Sequence, residues 1–262
     1  MRGIFAASAL LLATQVYVEA QGRGGPPPGP PQPAKVAAPI DLTGYWVSLI
    51  VDEWRFRVTP QKGDIPYLPI NAEARRIANE WDPAKDEADG KQCKAYGAVG
   101  VMQRPGRLHI TWDDDNTLRI EADAGTQTRA IHFGAAPAQR GEPSWQGYSV
   151  GQWQIPRNAT IDLGGVGFAP GGGSPPTRTG TLKAVTTNML PGYLRKNGVP
   201  YSGNAVLTEY FNRVIGADGQ FYFAVTAMLE DPTYLNQPFV RTYQFKKQPD
   251  AAGWEPTACL PR

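Results

Sequence analysis

The sequence predicts an all-β fold, an antiparallel up-and-down barrel of about nine or ten strands with one short helix. Three observations carry this. From residue 105 onward, short runs alternate apolar and polar side chains at period two. Turn signals such as Asp218-Gly219 and Asp231-Pro232 separate these runs at hairpin spacing. Only residues 71–81 show helical spacing.

The chain opens with Arg2 and an apolar run over residues 4–18, followed by Val18-Glu19-Ala20, which offers small residues where a signal peptidase reads. Residues 1–20 are therefore expected to be a secretion signal. The run falls short of the ~20 residues that span a bilayer, and no later stretch approaches that length. Residues 21–39 are too rich in Pro and Gly to build a core and read as a disordered spacer. Residues 40–262 then form one domain of roughly 220 residues.

Residues 42–51 read as a first strand, bent at Gly44, and residues 54–59 as a second, ended by Pro60. Asn71 is placed to cap the helix, and the acidic residues 82–90 read as a solvated connection. Leu108, Ile110 and Trp112 alternate with Arg107, His109 and Thr111. After the turn at residues 113–116, residues 117–123 return as a hairpin partner. Further strands are expected at 126–133, 148–155, 181–189, 205–215, 221–230 and 239–247, with a Gly/Pro-rich surface loop at 162–180. Arg119 and Glu121 read as solvated exterior.

The balance of 26 Lys and Arg against 24 Asp and Glu gives a net charge of +2 with no clustered basic tract. That argues against a nucleic-acid partner. Cys93 and Cys259 are the only cysteines, and in an exported chain they read as a disulfide holding the C-terminal tail to the loop after the helix.

Most chemical motifs fail on context. Gly147-Tyr148-Ser149-Val150-Gly151 matches a nucleophile elbow, but strand-like residues follow Ser149, and His109 and His132 both precede it. The two histidines lack metal-ligand spacing, and Asp113-Asp114-Asp115-Asn116 lacks the Gly and Glu of a calcium loop. Gly164-Gly165-Val166-Gly167 opens no helix, so no phosphate cradle, metal or other cofactor is expected. Asn158-Ala159-Thr160 fits a glycosylation sequon.

The remaining candidate lies in residues 191–211. Here Glu209 shares a strand face with Leu207 and Phe211, and Arg129 likewise shares one with Ile131 and Phe133. A charge on an apolar face either lines a ligand site or sits in a structural pair, and a mutual Arg129–Glu209 pair is one expectation. The leading reading is a lumen that binds a small, apolar or aromatic ligand. Its contacts would come from Arg129, Trp112, Tyr148, Tyr193, Tyr201, Asn204 and Tyr210. A second reading is a cofactor-free lyase, isomerase or hydrolase with Glu209 as general acid or base. A third is an interaction module whose barrel is filled.

The segments RPGRLHITWDDDNTLRIEADAGTQTRAIHFG, PSWQGYSVGQW, TTNMLPGYLRKNGVPYSGNAVLTEYFNR and EDPTYLNQPFV resemble a large family of exported bacterial proteins. These are catalogued as hypothetical secreted or lipocalin-like proteins. The resemblance covers nearly all of the chain after the spacer and implies a periplasmic or secreted lipocalin-like barrel without an assigned activity. Many relatives carry His-Ser-Glu where this chain has Tyr201-Ser202-Gly203, followed by Asn204. That departure weakens the enzyme reading.

Overall fold

The computed structural model describes residues 32–50, 58–135, 141–156 and 179–261. The expected signal, the first part of the spacer, most of the strand at 54–59, the sequon and most of the loop at 162–180 lie outside the described residues.

The alternating segments form a closed barrel. Its strands are β1 (Gly44–Leu49), β2 (Arg107–Asp114), β3 (Thr117–Ala122), β4 (Gln127–Phe133), β5 (Tyr148–Gln154), β6 (Thr181–Thr187), β9 (Val206–Ile215), β10 (Phe221–Glu230) and β11 (Phe239–Gln248). Going round the barrel the order is β1-β11-β10-β9-β6-β5-β4-β3-β2, and β1 pairs with both β11 and β2. Closure gives each of these nine strands a neighbour on both sides, which protects the sheet from pairing with another chain. Two features depart from a simple up-and-down barrel. β4 and β5 run parallel, with Ile131 opposite Ser149 and Phe133 opposite Gly151. Between β6 and β9 the chain makes a separate hairpin of β7 (Gly192–Arg195) and β8 (Val199–Tyr201). The barrel is thus all-β and mixed, with nine strands.

Period two decides what fills it. Trp46, Ile110, Phe211, Phe223, Val225 and Phe245 are all buried in one continuous core. Trp46 stands edge-on to Phe223 at 4.6 Å, and Phe223 stacks on Phe245 at 4.7 Å. Such pairs contribute about 0.5–1.5 kcal/mol each beyond their buried area. The Trp46 indole N–H donates to the Leu42 carbonyl at 2.9 Å, so this large side chain is buried without an orphaned donor.

Helical structure exceeds the single helix expected. The described residues include four short helices: α1 (Ala34–Ala37), α2 (Ala72–Glu80), α3 (Pro83–Ala88) and α4 (Ala98–Val101), with a 3₁₀ turn over Gln92–Tyr96. α2 is the one its periodicity predicts. Asn71 accepts from the Ala74 N–H at 2.9 Å as N-cap, and Ala74 and Ala78 face the core. α3 occupies the stretch read as a solvated loop. Asp82 caps it, Pro83 opens it, and Asp86 is buried. α4 escapes a pattern search because Ala98 to Val101 are all buried, which removes any amphipathic period.

The ends of the barrel differ. At one end, the 3₁₀ turn, α4 and the β7–β8 hairpin pack together as a plug. Gln103 joins α4 to β7 by donating to the Val99 and Leu194 carbonyls at 2.9 and 2.8 Å. The Cys93–Cys259 disulfide ties the C-terminal tail to this plug, with Cα atoms 5.1 Å apart. At the opposite mouth, α1 forms a strap. The Lys35 N–H donates to the Asp115 carbonyl at 3.0 Å, and the Trp153 indole donates to the Ala34 carbonyl at 2.8 Å. Folded structure therefore begins before residue 40, because these bonds hold residues 34–35 on the β2–β3 turn and on β5.

Candidate functional site

Inside the barrel, one polar cluster interrupts the apolar core. Arg129 projects inward from β4 and Glu209 from β9, at 2% and 0% exposure. Arg129 Nη2 donates to Glu209 Oε2 and, at 2.7 Å, to the Thr186 hydroxyl. Arg129 Nε donates to the Ser149 hydroxyl at 3.0 Å, and the Ser149 and Thr186 hydroxyls lie 2.8 Å apart. Neighbouring strands leave room for this group with small residues, since Ala184 and Ala227 stand opposite Glu209 in the ladders.

The sequence points to Arg129 and Glu209, but it presents Ser149 as an ordinary strand residue and does not single out Thr186. The available signal is a hydroxyl at an inward position, Ser149 in phase with Gly151 and Trp153, and Thr186 in phase with Leu182 and Ala184. A small hydroxyl on a buried face needs a partner, and the charged pair supplies it.

The other expected ligand contacts do not converge on this cluster. Tyr148 and Tyr210 point to the barrel exterior. Tyr148 stacks on His132 at 4.8 Å, and the Tyr210 ring centre lies 5.9 Å from the Lys183 ammonium. Tyr193 and Tyr201 belong to the plug, and Asn204 is exposed beside it. Trp112 stands at the opposite mouth. The expected single lumen site is therefore dispersed, because inward and outward positions alternate and the 191–211 stretch folds across the barrel end.

The interior is also occupied. Glu209 lies among Leu207, Phe211, Ala184 and Ala227, all buried, and the cavity between plug and barrel wall beside it measures about 10 Å³. That is room for about one water molecule. A general base must come within about 3 Å of the proton it takes, and this cavity is too small to bring a substrate there.

Concavities of larger size lie at the two ends. The plug-end cleft, about 230 Å³, is walled by Trp81, Asp86 and Tyr193. Asp86 accepts from the Trp81 indole at 2.9 Å, Lys94 at 2.7 Å and the Tyr193 hydroxyl at 2.7 Å. Burial, then the Asp86 carboxylate, push the Tyr193 phenol well above its usual range. With three donors directed at Asp86 and Trp81 buried, this group serves packing of the plug. Ser202 is pinned similarly, donating to Asp231 through its N–H at 2.7 Å and its hydroxyl at 2.8 Å.

The mouth cleft is larger, about 340 Å³, and lies between the strap and the Trp112 indole. Trp112 begins a row of rings, 5.5 Å from Phe133, which is 5.3 Å from Trp153. Lys35, Asp41 and Thr43 supply the polar part of the lining. Around this mouth Ile155, Ile215 and Phe221 remain exposed, Ile215 at 62%.

No family model, curated protein or solved structure matches this chain. Among the described residues no helix is long and apolar enough to cross a membrane.

Proposed function

We propose that this chain is an exported binding protein that takes a small, largely apolar ligand at the strapped mouth of its barrel. The observation that carries this reading is the cleft of about 340 Å³ against the Trp112 indole. Ligand sites are concave, mostly apolar, and start at about 300 Å³, with a few polar groups that fix orientation. Trp112 supplies the apolar wall, while Lys35, Asp41 and Thr43 supply those polar groups. The exposed apolar side chains around the mouth favour a ligand with an aromatic or aliphatic body. Export is favoured by the N-terminal apolar run, by the disulfide, which suits an oxidising compartment, and by the resemblance to exported barrel proteins.

Relative to a lumen site, this reading moves the ligand from the Arg129–Glu209 cluster to the mouth. Titration with 8-anilinonaphthalene-1-sulfonate separates the two. One saturable site is expected, weakened about tenfold in Trp112→Ala and unchanged in Glu209→Gln, tenfold being about 1.4 kcal/mol. The absence of saturable binding, or binding indifferent to Trp112, overturns the proposal. Native mass spectrometry of the protein purified from its exporting host then reads the chemical class of any retained ligand.

A further inference from the structure

The plug holds three cations away from solvent: Arg104, Arg195 and Lys196. Two of them have visible company. Arg195 Nη1 donates to the Asp64 carbonyl at 3.0 Å, and the Lys196 ammonium lies 5.2 Å from the centre of the Tyr96 ring. Arg104 differs. It is 6% exposed, its Nε is enclosed without a hydrogen-bond partner, and among the described residues no carboxylate pairs with it. The charged group that its guanidinium feels is another cation, Arg195, alongside the phenols of Tyr96 and Tyr243. Burial pushes Arg104 down to about 10, as the loss of water around an uncompensated charge requires.

Arg129 has partners that Arg104 lacks, although its Nη1 is also enclosed without a hydrogen bond. It has two hydroxyls and a carboxylate around its guanidinium. A buried cation left without such partners is costly, and a fold retains one where a negative group arrives to complete it. The guanidinium fork suits a planar or compact anion, and Arg195, close enough to act on Arg104, adds to the local positive potential.

We infer that Arg104 anchors a binding site for a compact anion, a halide or a small oxyanion, in the plug at the end of the barrel remote from the proposed ligand cleft. Arg195 contributes field rather than direct ligation. The inference is independent of the mouth reading, since it shares no residue with that cleft.

The test is thermal unfolding of the whole exported protein at fixed ionic strength, with sodium gluconate replaced stepwise by chloride, phosphate or sulfate. The wild type is expected to gain about 2–4 °C in Tm as the preferred anion saturates the site. A gain with chloride alone identifies a halide site, and a gain with phosphate or sulfate an oxyanion site. Arg104→Met removes the charge and is expected to abolish the gain. If that variant does not fold, Arg104→Lys carries the test: it keeps the charge, loses the fork, and is expected to show at most half the gain. A wild type indifferent to all three anions overturns the inference. So does a gain that is unchanged in the substituted protein.

Discussion

Arg129 and Glu209, eighty residues apart in sequence, meet in the interior of the barrel as a buried ion pair, closed in by the Ser149 and Thr186 hydroxyls. The contact links β4 with β9, which are separated in the sheet by β5 and β6. Desolvation of two charges offsets much of their attraction, so such a pair contributes little net stability while being costly to break in half. Its consequence here is registration: a shift of one residue in either strand would turn its charge to the other face of the sheet.

Breaking half of the pair is expected to be worse than removing all of it. Arg129→Met or Glu209→Leu alone should each lower unfolding stability by about 3–5 kcal/mol, because the surviving charge stays buried. The double variant should recover most of that loss. Urea unfolding of the two single variants and the double variant gives the coupling directly, and additive losses would contradict it.

Half of this cluster is legible in the amino-acid sequence, and the reason is physical. Charge on an apolar strand face is rare enough to stand out, so Arg129 and Glu209 are visible there. Ser149 and Thr186 are not, because a hydroxyl occurs on either face of a strand. Strand alternation likewise gives the nine barrel strands their places, within a residue or two at most ends. The end structure is what alternation misses. α4 and the β7–β8 hairpin are buried on nearly all sides, so neither carries the amphipathic period that betrays an element. Tyr148 and Tyr210 mislead for a different reason. A tyrosine at a strand position suits either a wet exterior or an apolar interior, and only the register decides.

Tyr201 is buried at 1% exposure, and its hydroxyl is enclosed without a hydrogen-bond partner. Tyr201→Phe is therefore expected to stabilise the protein by about 1 kcal/mol at neutral pH, since it removes an unsatisfied polar group. Burial also holds the Tyr201 phenol above its usual range. The unfolded chain then loses this proton near pH 10 while the folded chain keeps it, so stability declines as pH rises beyond about 10. In the phenylalanine variant that alkaline decline should be shallower by up to about 1.4 kcal/mol per pH unit. Urea midpoints between about pH 8 and 11 bracket the phenol's ordinary range and measure both effects.

The disulfide closes a sequence separation of 166 residues, so its effect on the unfolded chain is large. In the loop-entropy account, removing it costs about 4–5 kcal/mol. Cys93→Ser with Cys259→Ser is expected to unfold at markedly lower urea while keeping the barrel, because the nine strands pair with one another and not with the tail. Far-ultraviolet circular dichroism reads the strand content, and the urea midpoint reads the loss. A midpoint equal to that of the oxidised wild type would contradict the loop-entropy account.

Gly198 turns β7 into β8 with φ at +82°, and a Cβ built there would lie 2.2 Å from Cγ of Trp81. Gly198→Ala therefore combines a left-handed backbone, costing about 1–2 kcal/mol, with displacement of a buried indole, costing about 1–3 kcal/mol. A loss of roughly 3 kcal/mol is expected from the two together. Gly219 provides the control, since it has φ at +74° in the β9–β10 turn with nothing within 4 Å of the added methyl. Gly219→Ala should show the backbone part alone. The difference between the two urea midpoints isolates the Trp81 contact, and a shifted tryptophan emission confined to Gly198→Ala would locate it. Because Trp81 donates to Asp86, which also holds Tyr193 and Lys94, that displacement should loosen the plug as a unit. Equal losses in the two variants would mean instead that the hairpin turn moves freely of the indole.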